Sequence, residues 1–495
     1  LIFWLSLFAD MFVYYRLSEE ERKQKKIKQP AYSDLGRRLK LPNNWEDLKK
    51  TSHEYKIDVA DGFKANAMTV VENSYLLARK LGHKYVVPLH LFYASLADQE
   101  VAALFSRLDL DHAKLVGKIE AQIANIPKEP GRTRLSRTLK EVLIASYLEA
   151  LRLGQNRVTA KNFLVPCLNK DGLIKEILYD LEVDHDKIYN VLLWFIVNEK
   201  MLESYQLYRR MARFKPASNM DRAYTSVATP ILNRFSYDLT LAAKWGKLEY
   251  CVARQEEIAK IFEDLESGKN GVILVGPPGV GKNSVIYGIA QAMVKEDVPA
   301  LLKDKRLLEL DAARLVSGVD SSQSEGRLVA VIDEVMRAGN IILFIDNIEN
   351  MIGITSGGEQ SLDLSEVLTG GLSRGNLICL ASATSENYTK YIEGRALGNA
   401  LTRLDVNEPA GNQAIQIIES KIGYIEGKYK VYFSYNAIEE TINLSRRYIH
   451  DKYLPQKAIE ILESVAVSVA KRKGRQSQVT KEDIAAVIGE LTNIP

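Results

Sequence analysis

At 495 residues the chain exceeds what a single hydrophobic core organises, and about three structural units are predicted. Its composition, 46% hydrophobic and 26% charged, is that of an ordinary globular protein, and a net charge of +3 over this length gives no case for bulk nucleic-acid binding. The six His and the three Cys (Cys167, Cys251, Cys379) lack CxxC or HExxH spacing. Neither a structural metal site nor a disulfide framework is therefore expected, and a reducing compartment is.

The chain begins with Leu, which predicts a start inside a longer gene product. Residues 1–15 are apolar and aromatic apart from Ser6 and Asp10, a run shorter than the roughly 20 residues of a spanning helix. Arg22, Lys23, Lys25, Lys26 and Lys28 follow it, the bias of a cytoplasmic flank, whereas a signal peptide carries its charges first. Residues 1–28 thus read as a transmembrane end with a basic juxtamembrane segment, placing the protein at the cytoplasmic face of a membrane. A buried or interfacial helix is the alternative, favoured by Asp10. Residues 29–56, with Pro30, Pro42, Asn43 and Asn44, read as a linker.

An internal repeat occupies residues 57–195. Val71, Ser74, Tyr75, Ala78, Leu81 and Gly82 recur as Leu143, Ser146, Tyr147, Ala150, Leu153 and Gly154, and Leu108, Asp111, His112 and Leu115 recur as Leu181, Asp184, His185 and Ile188. The apolar spacing makes both copies helical and each Gly a helix stop, so a duplicated all-α domain is predicted. Residues 196–228, rich in Arg and Tyr, read as an exposed connector.

From residue 229 the pattern turns α/β. Apolar runs at 271–275, 306–310, 341–345 and 377–381 predict strands, and the fully apolar Ile341–Ile345 run fits a parallel sheet buried on both faces. The large α/β domain is assigned to residues 229–409 and a small helical domain to 410–495. After the first of these strands comes Gly276-Pro277-Pro278-Gly279-Val280-Gly281-Lys282-Asn283, opening a helix through Ser284. Such a loop presents backbone N–H groups to phosphates, with Lys282 on the β- and γ-oxygens. Asn283 stands where a Ser or Thr hydroxyl would hold Mg²⁺, and its amide oxygen can ligate with a different reach. Asp346, closing the apolar strand 341–345, is placed to orient the Mg²⁺ shell. Asn347 after it cannot accept a proton as a general base would.

These motifs resemble the Clp family of AAA+ proteins. Ala78-Arg79-Lys80-Leu81-Gly82-His83-Lys84-Tyr85 and then His90-Leu91 are similar to the family's N-terminal repeat, the second copy carrying Gln155 and Asn162-Phe163 instead. His83 and His90 read as capping or packing residues rather than metal ligands. Residues from Leu232 to Leu248 and Val252 to Ile258 look like the segment that meets adenine through the backbone near Val252. Cys379 to Glu393 places the sensor residue at Thr384, and Leu454 to Glu460 resembles the small domain's signature. The resemblance implies an α/β P-loop AAA+ module behind the helical repeat domain, ATP and Mg²⁺ as ligands, a homo- or hetero-hexameric ring, and protein clients or adaptors docking on the repeats. The chain departs from the family at catalytic positions. Asn347 replaces the Glu that activates water, Asn399 and Ala400 stand at the two arginine fingers with Arg403 out of register, and Asp320-Ser321-Ser322-Gln323 replaces an aromatic pore loop after Leu315–Gly318.

Three readings follow: a nucleotide-binding, hydrolysis-poor subunit that scaffolds or regulates a ring; an active ATP-driven unfoldase; and a client adaptor that binds no nucleotide.

Overall fold

The computed structural model describes residues 58–129, 131–213, 228–318, 321–351, 364–373 and 377–492. The expected membrane end (1–28) and linker (29–56) lie outside these. Among the described residues no helix is long and apolar enough to cross a membrane.

The N-terminal unit is built twice from the same local chemistry. Helix α1 (Ala65–Leu81) stops at Gly82, φ 77°, and the His83 amide returns to the Ala78 carbonyl at 2.9 Å. Then come α2 (Pro88–Ser95), α3 (Gln99–Arg107) and α4 (His112–Ala124). The second copy opens with α5 (Arg137–Arg152) and stops at Gly154, φ 67°, where the Gln155 amide returns to the Ala150 carbonyl at 2.8 Å. It continues through α6 (Leu164–Lys170) and α7 (Gly172–Tyr179). The left-handed φ that ends each helix suits Gly, which carries no Cβ. The unit is helical except for short parallel pairings that tie the copies together. These are β1 (Tyr85–Val86) with β2 (Arg134–Leu135), and Phe63 with Val158.

Helix α8 (His185–Arg213) runs on through residues 196–213 of the expected connector, of which residues 214–227 lie outside the described set. Its first half is apolar on one face, with Val191, Leu192, Trp194 and Ile196 buried. That face packs on the small C-terminal domain, and one continuous apolar cluster joins Trp194 and Ile196 to Ile415, Ile418 and Phe433.

The α/β domain holds a six-stranded sheet in the order β3-β5-β6-β7-β4-β8. Four of these strands are β4 (Gly271–Val275), β5 (Arg306–Leu310), β6 (Ile341–Ile345) and β7 (Ile378–Ala383), close to the four predicted runs. The edge strands β3 (Ser236–Asp238), antiparallel to β5, and β8 (Thr402–Asp405) are short and polar, and the hydrophobic pattern missed them. Alternate residues of β4 and β6 enter separate apolar layers, Ile273 and Leu343 on one face, Val272 and Ile342 on the other, as a sheet covered on both sides requires. Helices α9 (Gln255–Glu266), α10 (Lys282–Val294), α11 (Ala312–Val316), α12 (Ser321–Ala338) and α13 (Ala396–Ala400) belong to this domain.

The small domain is α14 (Gly411–Tyr429), α15 (Tyr435–Tyr448), α16 (Gln456–Arg472) and α17 (Lys481–Thr492), with a parallel pair, β9 (Tyr432–Phe433) and β10 (Gln478–Val479).

Candidate functional site

Strand β4, buried along its whole length, delivers the loop Gly276–Gly281 at the carboxyl edge of the sheet. Gly276 admits no side chain, since a Cβ there would lie 2.3 Å from the Val406 carbonyl oxygen. Gly279 and Gly281 take φ of 77° and 99°, which L side chains rarely adopt. A Cβ on Gly279 would also meet Gln456 Oε1 at 2.3 Å, so the small domain presses on the loop after Pro277 and Pro278. The Val280 carbonyl accepts from Arg254 Nη2 at 2.7 Å.

Helix α10 starts at Lys282, two residues before Ser284, and has no side-chain cap. Uncapped amides and the helix dipole leave this end suited to an anion. Lys282 is buried and donates to the carbonyls of Gly276 (2.9 Å) and Pro277 (3.1 Å). Burial lowers its pKa, opposed by the nearby negative charges of Asp346 and Glu349.

Asp346 meets the loop directly. Its Oδ2 accepts from Asn283 Nδ2 at 3.1 Å, and its Oδ1 accepts from the Ser382 hydroxyl. The same Ser382 oxygen accepts from the Asn347 amide at 2.9 Å, holding Asn347 at φ 48°. Sequence reasoning missed Ser382. Its signal is a hydroxyl at the end of an apolar strand, in a register (Ile345 opposite Ala381) that sets it beside Asp346.

Thr384 caps the next turn, its Oγ1 accepting from the Asn387 amide at 3.2 Å. Asn387 in turn donates to Glu349 Oε1 at 2.8 Å. Glu349, only 8% exposed, was also missed, and its other oxygen is buried without a hydrogen-bond partner. Val252 stands one residue before Ala253, which has φ 54°. The neighbouring Cys251 packs so closely on α10 that a Cβ on Gly288 would meet its Sγ at 2.9 Å.

Asn399 and Ala400 end α13, and Arg403 lies on β8, paired to Asp405 at 2.9 Å and placed over the Tyr388 ring at 4.9 Å. Residues 319–320 lie outside the described set, and Ser321–Gln323 form the first turn of α12. Among the described residues no cluster of three or more His, Cys, Asp or Glu could hold a metal ion.

A mostly parallel sheet bearing a glycine loop before a helix, an acidic strand end beside it and a small helical domain above it defines an AAA-type P-loop module. Residues 272–395 match the ATPase family associated with various cellular activities (AAA), 410–494 the AAA lid domain, and 62–181 the Clp repeat (R) N-terminal domain. The chain is 31% identical over 417 residues to a chaperone protein ClpB of Oceanobacillus iheyensis, covering 83% of this chain and 50% of that one. It is 30% identical over 433 residues to an ATP-dependent Clp protease ATP-binding subunit, ClpC, of Staphylococcus epidermidis, covering 86% of this chain and 51% of that one. A solved S. cerevisiae Hsp104:casein complex aligns with TM-score 0.48 and 28% identity over 54% of this chain and 46% of that one. The chain belongs to the Clp family of AAA+ proteins. It spans about half the length of the curated relatives it matches.

Proposed function

We propose that the chain is an ATP-binding Clp-type subunit for protein remodelling whose own hydrolysis is impaired, acting as a scaffold or regulator in a hexameric ring. The observation that carries this is the acidic strand end. Asp346 is held by Asn283 and Ser382, and Asn347 puts an amide where a proton acceptor is needed to activate water. With Asn399 and Ala400 at the finger positions, a neighbouring subunit also loses a cation worth about 10³–10⁵ in rate.

Gly279, Val280, Gly281, Lys282 and the first turn of α10 through Ser284 would hold the phosphates, and Val252 the base. Asp346 and the Asn283 carbonyl oxygen are hard oxygen donors that fit Mg²⁺, once Asn283 turns its amide. The ion would neutralise charge between the phosphate oxygens. Binding confined to the assembled ring would stabilise that ring by mass action. Protein clients or adaptors would dock on the repeat domain, and residues 1–28 would tether the subunit to the cytoplasmic face of a membrane.

A second reading rests on Glu349. Its buried, unpartnered oxygen could take the proton that Asn347 cannot, making the chain an active unfoldase. Binding and steady-state hydrolysis of ATP, measured on the chain and on Lys282→Ala, separate the readings. Binding without turnover supports the proposal. Turnover abolished by both Lys282→Ala and Glu349→Gln replaces it with the second. No binding at all leaves a client adaptor.

A further inference from the structure

The repeat domain and the small domain do not possess separate cores. Leu104 and Phe105 of α3, Trp194 of α8, and Ile418, Phe433 and Ile442 of the small domain lie in one continuous apolar cluster. A broad apolar contact of this kind leaves its two sides little freedom to move apart.

Two polar connections fix how the surfaces meet. Asn190 of α8 is fully buried. Its Nδ2 donates to Asn412 Oδ1 at 3.1 Å and to the Tyr435 hydroxyl at 3.0 Å, and its Oδ1 accepts from Gln416 at 3.2 Å. Asn412 passes the connection back to α8 by donating to Asp186 at 3.1 Å. Sliding α8 along α14 would orphan these buried groups together, so the network admits one register. The second connection is Arg107, at the end of α3. Its guanidinium donates to both oxygens of Glu426 and, at 2.9 Å, to the Phe433 carbonyl, and it lies over the Trp194 ring at 4.5 Å. A planar fork that meets a carboxylate with two parallel bonds fixes orientation as well as distance.

The same small domain also bears on the candidate phosphate loop. Gln456 of α16 lies against Gly279, and Arg254 donates both to the Val280 carbonyl at 2.7 Å and to the Asn407 carbonyl at 3.3 Å, just before α14.

We propose that α8 splints the repeat domain to the small domain of its own chain as one rigid body, registered by Asn190 and latched by Arg107, so that a ligand on the glycine loop turns the repeats together with the small domain. The aim of the repeat surface is then set by what the loop holds. By linkage, a protein held on the repeats changes the affinity of the loop for its ligand by the same factor. This lever rests on the nucleotide-binding reading above, whereas the rigid body stands without it.

The test reads distances between spin labels on the full chain by pulsed electron resonance. Cys167, Cys251 and Cys379 are all buried, so cysteines introduced at exposed positions take the label: Leu76→Cys in the repeat domain, Leu491→Cys in the small domain and Leu301→Cys in the large domain. Labelled chain is diluted into unlabelled chain, so that only distances within one chain are read. Leu76→Cys with Leu491→Cys is expected to give one narrow distance that ADP does not move, and Leu76→Cys with Leu301→Cys a distance that ADP shifts. Arg107→Glu is expected to broaden the first distribution, and adding Glu426→Arg to narrow it again, which lost packing alone would not do. A broad or ADP-dependent first distance in the native chain overturns the rigid body, and a narrow one that survives Arg107→Glu overturns the latch. If Arg107→Glu does not fold, the native chain decides. A second distance unmoved by ADP, at concentrations where calorimetry shows it bound, overturns the lever. Calorimetry that shows no ADP binding overturns the loop reading instead, and a narrow first distance then leaves the rigid body standing.

Discussion

The side-chain amide of Asn283 donates to the Asp346 carboxylate across 3.1 Å, tying the start of α10 to the end of β6. A hydroxyl at position 283 would leave that carboxylate oxygen open to a divalent ion, whereas the amide occupies it. Asn283→Thr is therefore expected to lower the Mg²⁺ concentration that half-saturates ADP binding by about tenfold, as changes around a ligating carboxylate typically do. Magnesium titrations of ADP binding to both proteins check this. Superimposable curves would remove Asn283 from the ion's surroundings.

Restoring a carboxylate after Asp346 tests the lost base. The Asn347 backbone is pinned by Ser382 at φ 48°, and the site keeps Lys282 against the loop. Asn347→Glu is expected to raise single-chain ATP turnover by about 10², the lower part of what a positioned base contributes, because the finger positions stay empty of Arg. Turnover is read by phosphate release under steady-state conditions. A rate unmoved in Asn347→Glu but abolished in Glu349→Gln would transfer the base to Glu349.

Much of this was legible in sequence because period and punctuation carried it. The apolar runs that became β4, β5, β6 and β7 could be read to within a residue or two, and the glycines of the loop and of both repeats declared their turns. What escaped were features set by tertiary contact. Strands β3 and β8 are too short and polar to register, and Ser382 matters only because β7 lies beside β6. Residues 196–213 read as part of a connector because of their Arg and Tyr, yet Trp194 and Ile196 begin a face whose partner lies more than two hundred residues away on α14. Glu349 gives no local sign of burial, which Asn387 supplies.

Glu419 should make stability fall with rising pH. Burial raises its folded-state pKa well above 4.5, the nearby Arg107 only partly opposing, so above about pH 4.5 the unfolded chain releases a proton the folded chain retains. Stability then declines as pH rises toward the folded pKa, with a limiting slope of about 1.4 kcal/mol per pH unit. Glu419→Gln is expected to flatten this decline between pH 5 and 8. Denaturant unfolding followed across that window reads the slope, and parallel curves for the two proteins would contradict it.

The histidine pair predicts the opposite dependence in the repeat domain. His90 Nδ1 accepts from the Val87 amide at 3.1 Å, so its Nε2 carries the hydrogen and donates to His83 Nδ1 at 2.8 Å. Both rings must stay neutral for this chain to exist. Burial lowers both pKa values, that of His90 to about 4, with the nearby His83 adding to the shift of His90 and Lys128 to that of His83. The unfolded chain, with His near 6.5, binds protons that the folded chain refuses, so stability is lost as pH falls from 6.5 toward 4. The second repeat makes the same connection without titratable groups. Asn162 accepts from the Thr159 amide at 2.8 Å and donates to Gln155 at 2.7 Å. Transplanting that pair, His83→Gln with His90→Asn, is expected to keep the native near-ultraviolet dichroism and shift acid unfolding of the repeat domain to lower pH. An unchanged acid midpoint in the double variant would show that the pair does not govern it.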